Sequence, residues 1–340
     1  MRQLALVACL FVACAPPELP PPELPPPAGT PAKGTPQGSE RLLRIKDGAS
    51  GLLMDDGTDF VPFGAEPCCA EWEKVPNQRW PLASEAFMDE TIKYGANLFH
   101  FRIGPWAGDA EGETEWADVG GAYLPGTSEW NTGFWQKVRD LAWHAYQLGA
   151  YVEVVPVDDW WLKEVCGRDE TCGKRSPWRG ADVAAWGKAP TPEAERLLRK
   201  AVEELGCFGN VIWATGNEED LIPGMTAEHV AWRVGVIRDE EQRSGCGFVH
   251  LIGTGSGGSG IPADYKITHD RVAITGPCNG RWCANNEHNP EFSPEQEALY
   301  FERAVDAGQR WDAFRSGASD ADWERRLELF RAVLDSRAGG

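Results

Sequence analysis

The sequence has no apolar run long enough to cross a bilayer: its longest N-terminal one, Leu4 to Ala13, falls well short of the roughly 20 residues a spanning helix needs. It has no His-x-His or His-Glu-x-x-His spacing, no Gly-Lys-Ser/Thr phosphate loop, and no pair of Cys-x-x-Cys motifs of the kind that holds zinc. It also lacks the basic excess that nucleic acid requires. The formal net charge is −19, and such a surface repels phosphate backbones, so no nucleic-acid partner is expected. These absences remove the commonest metal, nucleotide and membrane-spanning classes.

The N-terminal 40 residues are not core material. Arg2 followed by the short apolar run reads as a signal peptide over residues 1–14. Its end, Val12-Ala13-Cys14, resembles the site at which bacterial lipoproteins are cleaved and acylated on cysteine, although Phe11 stands where leucine is usual. Cleavage of a plain secretory signal is the other reading. Residues 15–40 are rich in proline and poor in apolar side chains, which predicts an extended, disordered spacer. A spacer directly after an acylated Cys14 would hold a domain off a membrane surface; no other membrane contact is expected.

Removing Cys9 and Cys14 leaves eight cysteines, an even set that in an exported protein favours disulfides. Cys278 with Cys283 and Cys166 with Cys172 have spacings that suit short loop staples. There are sixteen tryptophans, a high count for this length, and core packing takes many of them. Flat aromatic faces stack on sugar rings, so a neutral carbohydrate partner fits both the charge and the tryptophans.

From residue 41 to 340, short runs rich in Val, Ile, Phe and Trp alternate with segments of helical period, the order of βαβ units around a parallel sheet. The predicted strands are Phe60–Ala65, Asn97–Ile103, Tyr151–Pro156, Val211–Thr215, Phe248–Gly253, Tyr265–His269, Trp282–Asn286 and Trp311–Phe314. Predicted helices cover Ser84–Tyr94, Thr132–Leu148, Pro192–Leu205, Thr226–Arg243, Pro294–Gly308 and Asp320–Arg337. Eight strands make an α/β fold of the (β/α)8 barrel kind. The sixth βα unit is degenerate, because the segment before Arg281 contains no helical pattern. Long segments follow the strands while helix-to-strand connections are short, which puts sequence length where barrels build their sites.

Two strands run straight into a carboxylate preceded by an amide: Val211 to Asn217-Glu218, and Arg281 to Asn286-Glu287. Cleaving a glycosidic bond takes a proton donor at the leaving oxygen and a second carboxylate across the sugar. Two such strand ends form a constellation that a single Asn-Glu would not.

In these residues the sequence resembles the clan A glycoside hydrolases, retaining (β/α)8-barrel enzymes of the cellulase and mannanase kind, in which the fourth strand ends in Asn-Glu and the seventh in Glu. The resemblance spans most of Phe60 to Phe314, including Phe60 to Ala65 and Gly95 to Arg102. It implies Glu218 as acid/base and Glu287 as nucleophile, Arg102 beside the nucleophile, Asn217 on the sugar 2-hydroxyl, His269 in contact with substrate and Trp311 as the floor of a subsite. It implies no cofactor and no metal. Strand three departs from the family pattern, ending Val157-Asp158-Asp159 without the histidine that many members have. Only 69 positions separate Glu218 from Glu287, which makes Glu219, Asp158 and Asp270 the substitutes for a catalytic acid. Two other classes are carried forward: a non-catalytic carbohydrate-binding lipoprotein, and a metal-dependent barrel hydrolase using His100, His269, His288, Asp158 and Asp270.

Overall fold

A computed structural model describes residues 29–66, 82–103, 121–124, 127–157, 189–217, 219, 224–255, 261–268, 278, 281–285, 292–314 and 319–338. Eleven strands are described. Three short ones, β1 (Arg44–Ile45), β2 (Leu52–Leu53) and β3 (Asp59–Phe60), form a small antiparallel sheet. The other eight are β4 (Phe63–Glu66), β5 (Leu98–Arg102), β6 (Tyr151–Val155), β7 (Val211–Ala214), β8 (Ile252–Thr254), β9 (Tyr265–Thr268), β10 (Trp282–Asn285) and β11 (Arg310–Phe314). Each of these pairs in parallel with its neighbours, and β11 closes on β4, so they form a closed (β/α)8-type barrel. The strand count made from the sequence holds: β7 is the fourth barrel strand and β10 the seventh.

The helices are α1 (Glu85–Thr91), α2 (Thr132–Gln147), α3 (Pro192–Leu205), α4 (Ala227–Ser244), α5 (Pro294–Asp306) and α6 (Asp320–Ala338). Their starts are written in the sequence. Ser84, Asn131, Thr191 and Thr226 each accept a hydrogen bond from the backbone N–H three residues on, and Ser293 with Gln296 forms a capping box. On α6, Trp323, Leu327 and Phe330 are buried and Leu334 packs against the same core, as the helical period of these residues predicts.

Alternation along the strands sorts side chains into two cores. Phe99, Phe101, Val152, Val154, Trp213, Trp311 and Ala313 face outward and join the helices in one large cluster. Leu98, Tyr151, Ile212, Tyr265, Trp282 and Ala284 face inward and pack with Leu43, Leu52 and Phe60 of the small sheet. Most of these inward residues lie at or near strand starts, so the small sheet plugs the N-terminal end of the barrel. Gly308 is part of that plug: it has φ +67°, and a Cβ there would lie 2.0 Å from the Ser50 carbonyl oxygen.

Two expectations change. The fifth barrel strand begins at Ile252, later than Phe248, because the lead-in serves another purpose. Val249 is exposed, while the backbone N–H of His250 donates to Glu241 and its ring lies between Glu241 and the Phe208 carbonyl. Among the described residues between Thr254 and Trp282 there is no helix, and none of the predicted helices falls there. The spacer predicted to run to residue 40 is docked from Gly29 onward. Lys33 pairs with Glu203 at 2.5 Å and Glu204 at 3.1 Å, Arg139 donates to the Pro31 carbonyl, and Gln37 forms a parallel bridge with Phe208. A proline-rich chain cannot build a sheet ladder, but its carbonyls and its few polar side chains still find partners on α2 and α3. Residues 1–14, with Cys14, lie outside the described residues.

Two disulfides are described, Cys278–Cys283 as the spacing predicts and Cys207–Cys246 in addition. The second ties the loop after α3 to the loop after α4. Disulfides fit an oxidising compartment outside the cytoplasm. Cys68, Cys69, Cys166 and Cys172 lie outside the described residues. Among the described residues, no helix is long and apolar enough to cross a membrane.

Candidate active site

Inward-facing polar residues rise through the barrel from its plugged floor toward the C-terminal ends of the strands. Lowest is a buried ionic cluster around Glu153 on β6. Its Oε1 accepts from the Tyr265 hydroxyl at 2.5 Å and from Arg310 Nη1 at 2.6 Å, and His100 Nδ1 lies 3.1 Å from its Oε2. Burial alone would raise the Glu153 carboxyl, but the adjacent Arg310, His100 and Tyr265 bring it down to about 2.

Arg310 also grips Asp312, two residues further along β11, with its Nε at 2.7 Å from Oδ1 and its Nη2 on Oδ2. Burial lifts Asp312 to about 6 despite that grip, and the negative Glu153 adds to the rise. The fork fits only because β4 has no side chain opposite it: a Cβ on Gly64 would lie 1.6 Å from Asp312 Oδ1. Above this level Glu66, the last residue of β4, pairs with Arg102, the last residue of β5, at 2.8 Å. Both side chains are buried.

The end of the fourth barrel strand is fixed by packing from behind. Thr215 donates from its backbone N–H to the Gly253 carbonyl at 2.9 Å, Asn217 is buried, and Glu219 is wholly buried. Glu219 Oε2 accepts from Thr254 Oγ1 at 2.8 Å and from the Gly255 N–H at 3.0 Å, while its Oε1 lies 3.6 Å from Arg233 Nη1. These bonds commit Glu219 to holding strands four and five together.

On the seventh strand the described contacts hold the start, at the opposite end from Asn286 and Glu287 in the sequence. The Cys278–Cys283 disulfide closes a short loop below β10, and Cys278 and Arg281 exchange backbone hydrogen bonds at 2.9 and 3.1 Å. Gln309 supplies a side-chain acceptor for the Cys283 N–H at 2.7 Å.

Of the residues the sequence singles out, Arg102 and Asn217 stand at or just past the C-terminal ends of the second and fourth barrel strands. Glu218, Glu287 and His269 lie outside the described residues, as do Asp158, Asp270 and His288. Trp311 is corrected. It is fully buried on the outward face of β11 and stacks on Tyr300 of α5 with ring centroids 5.9 Å apart, so it packs the outer core instead of flooring a subsite. Register explains the change: Arg310 and Asp312 take the inward positions on either side of it. His100 is buried in the barrel interior, with its Nδ1 on Glu153. Sequence reading missed Glu66, Arg310 and the Glu153 cluster. Their signal was present as charged residues at alternate positions of otherwise apolar strands, in His100-x-Arg102 and Arg310-x-Asp312.

No protein-family model matches the sequence, and no curated protein matches it. Solved structures do resemble it. A glycoside hydrolase family 5 protein from Bacteroides vulgatus superposes with a TM-score of 0.55 at 13% identity, over 90% of this chain and 72% of that one. A glycoside hydrolase family 5 mannosidase from Rhizomucor miehei gives 0.53 at 10% identity, over 89% of this chain and 99% of that one. The fold is therefore the parallel eight-stranded barrel that family 5 glycoside hydrolases build. At these identities the likeness is one of fold.

Proposed function

We propose that the chain hydrolyses O-glycosidic bonds in an oligo- or polysaccharide by retaining double displacement. The observation that carries this is positional. In a closed barrel of eight parallel strands, Asn217-Glu218 comes just after the fourth strand and Asn286-Glu287 immediately after the seventh. The fold shared with family 5 glycoside hydrolases supports the same reading.

In this mechanism Glu287 attacks the anomeric carbon as a carboxylate while Glu218 gives its proton to the leaving oxygen. Water then attacks the glycosyl-enzyme bond, losing a proton to Glu218 and releasing Glu287. The two carboxyls must therefore titrate apart. Arg102 at the mouth of the barrel favours an ionised neighbour, and Asn217 is assigned to the sugar 2-hydroxyl. His269, at the end of the sixth strand, is assigned to substrate. No cofactor takes part. Export behind the signal at residues 1–14, with acylation at Cys14, would place the barrel on a tether outside the cytoplasm.

The test is hydrolysis of a panel of 4-nitrophenyl and 2,4-dinitrophenyl glycosides by Glu218→Gln and Glu287→Gln. Replacing the acid should cost on the order of 10²–10⁴-fold with the poorer leaving group and much less with dinitrophenolate, which leaves without a proton. Replacing the nucleophile should abolish both. Sugar binding with no turnover in the unmodified protein would instead mark a non-catalytic carbohydrate-binding protein.

A further inference from the structure

We infer that a groove on the outer wall of the barrel, between the start of α2 and α3, is a second sugar-binding site that takes the carboxylate of an acidic glycan. The choice of a sugar rests on the reading of the chain as a glycosidase, whereas the choice of a carboxylate rests on the groove itself. The groove has a volume of about 390 Å³ and runs along α3 from Pro192 to Glu203, roughly 16 Å of helix. Trp130, just before the cap residue of α2, lines it from outside α3. Both helices follow barrel strands, so their first turns lie toward the end of the barrel where Arg102 and Asn217 stand.

The aromatic part of the groove is built in advance. Trp130 forms an antiparallel bridge with Tyr123, stacks on its ring with centroids 4.4 Å apart, and meets Trp135 edge-on at 6.0 Å. Arg196 is held against this ring: its guanidinium carbon lies 4.4 Å from the Trp130 centroid, and its Nη1 donates to the Ser128 carbonyl at 2.8 Å. A guanidinium fixed in this way loses little further freedom when it meets a carboxylate. The Ser128 carbonyl takes one donor of the fork, and the others remain for a carboxylate.

The other charges of the groove are spent on one another. Glu195 pairs with Arg199 at 2.7 Å, and Arg199 reaches Asp239 and Glu240 of α4 at 2.6 and 2.9 Å. Glu203 pairs with Lys33 at 2.5 Å and with Lys200 at 3.4 Å, and Lys200 also holds Glu204 at 2.5 Å. Among the described residues, Arg196 is the charged residue of the groove that has no carboxylate partner. It is also exposed. On a chain of formal net charge −19 such a cation selects an anion. Half-buried Trp130 and exposed Pro192 set apolar surface beside it, and a uronate joins a carboxylate to a ring that can lie on such a surface.

The experiment is isothermal titration calorimetry of the full chain with tetrasaccharides of galacturonate, of mannuronate and of glucuronate-substituted xylose, each beside its carboxyl-reduced form. Expected is binding of at least one acidic tetrasaccharide, about 10-fold tighter than its reduced form and weakened about 10-fold by Arg196→Gln, as loss of a hydrogen bond to a charged group does. Arg196→Lys keeps the charge without the fork and should recover only part of the affinity. Turnover of a 4-nitrophenyl glycoside that the unmodified protein cleaves should be unchanged in Arg196→Gln, because Arg196 stands on the outer wall. Equal affinity for the acidic and reduced forms, affinity unchanged in Arg196→Gln, equal affinity for tetraglutamate, or no binding of any acidic tetrasaccharide would overturn the groove. If a glycoside is nonetheless cleaved, the glycosidase reading survives that result. Arg196-dependent binding with no cleavage of any glycoside would uphold the groove and overturn the catalytic reading, and neither binding nor cleavage would overturn both.

Discussion

Glu153 and Glu297 are both wholly buried and both face an arginine, yet they are displaced in opposite directions. Glu153 stands in the barrel interior and is brought down to about 2; Glu297 stands on α5, in the layer between barrel and helices, and burial pushes it up to about 7. The difference is in the number of partners. Glu153 has Arg310 at 2.6 Å, the Tyr265 hydroxyl at 2.5 Å and His100 at 3.1 Å. Glu297 has the ion pair with Arg326 at 3.0 Å, with Trp311 adding a smaller favourable contact. One counter-charge does not repay the loss of water around a carboxylate, whereas several converging donors do.

The largest test of this contrast removes the shared cation. Arg310→Met leaves Glu153 and Asp312 in the interior without the cation they share, and should destabilise the protein by about 3–5 kcal/mol in urea unfolding at pH 7. The loss should be smaller at pH 4, where Asp312 takes up a proton. An Arg310→Met midpoint equal to that of the unmodified protein would show that the interior cluster carries little of the stability.

Next in size is the pH dependence. A carboxyl whose folded pKa is raised favours folding most at low pH. For Glu297 that contribution is complete below about 4.5 and is lost as pH rises through about 7, a change of about 3 kcal/mol. Glu153, whose pKa is lowered, contributes above about 4.5 and loses a similar amount as pH falls toward 2. Together they favour greatest stability between about pH 4 and 5. Glu297→Gln should match the unmodified protein at pH 4 and exceed it at pH 8 by up to about 3 kcal/mol, measured by thermal or urea unfolding. Equal stability at both pH values would mean that Glu297 keeps an ordinary pKa.

The smallest effect belongs to a single donor. Tyr265→Phe removes the hydroxyl from Glu153 without removing a charge and should cost about 2 kcal/mol, as a hydrogen bond to an ionised group does. It should also raise Glu153, so that acid unfolding begins at a higher pH. An acid transition that does not move would leave Arg310 as the main cause of the low Glu153 pKa.

Much of this architecture was legible in the sequence where its signals are local. Gly95 and Gly245 end helices in the left-handed conformation that glycine takes without cost, and Cys278 and Cys283 are near enough in sequence to suggest their own pairing. The alternation of apolar strands and helices gave the right count, so that Asn217-Glu218 and Asn286-Glu287 follow strands four and seven. What could not be read depends on partners distant in sequence. Cys207 and Cys246 are separated by 39 positions, and their pairing follows from the adjacency of α3 and α4. Glu153 meets Arg310 across 157 positions. Trp311 was misassigned because strand position alone does not say which face a side chain takes; the inward charges on either side of it decide that. Docking of residues 29–41 was hidden for a related reason, since composition reports what a segment can do alone and says nothing of the groove it meets.

That docked segment also fixes how force travels through the molecule. A pull applied at Gly29 meets Pro31 held by Arg139, Lys33 held by Glu203 and Glu204, and then the Gln37–Phe208 bridge. Phe208 adjoins Cys207, whose disulfide to Cys246 spreads the load over the loops entering strands four and five. Traction on the N-terminal segment is thus delivered to the flank and floor of the barrel, while Glu66, Arg102 and Asn217 sit at the opposite ends of the strands, out of the load path.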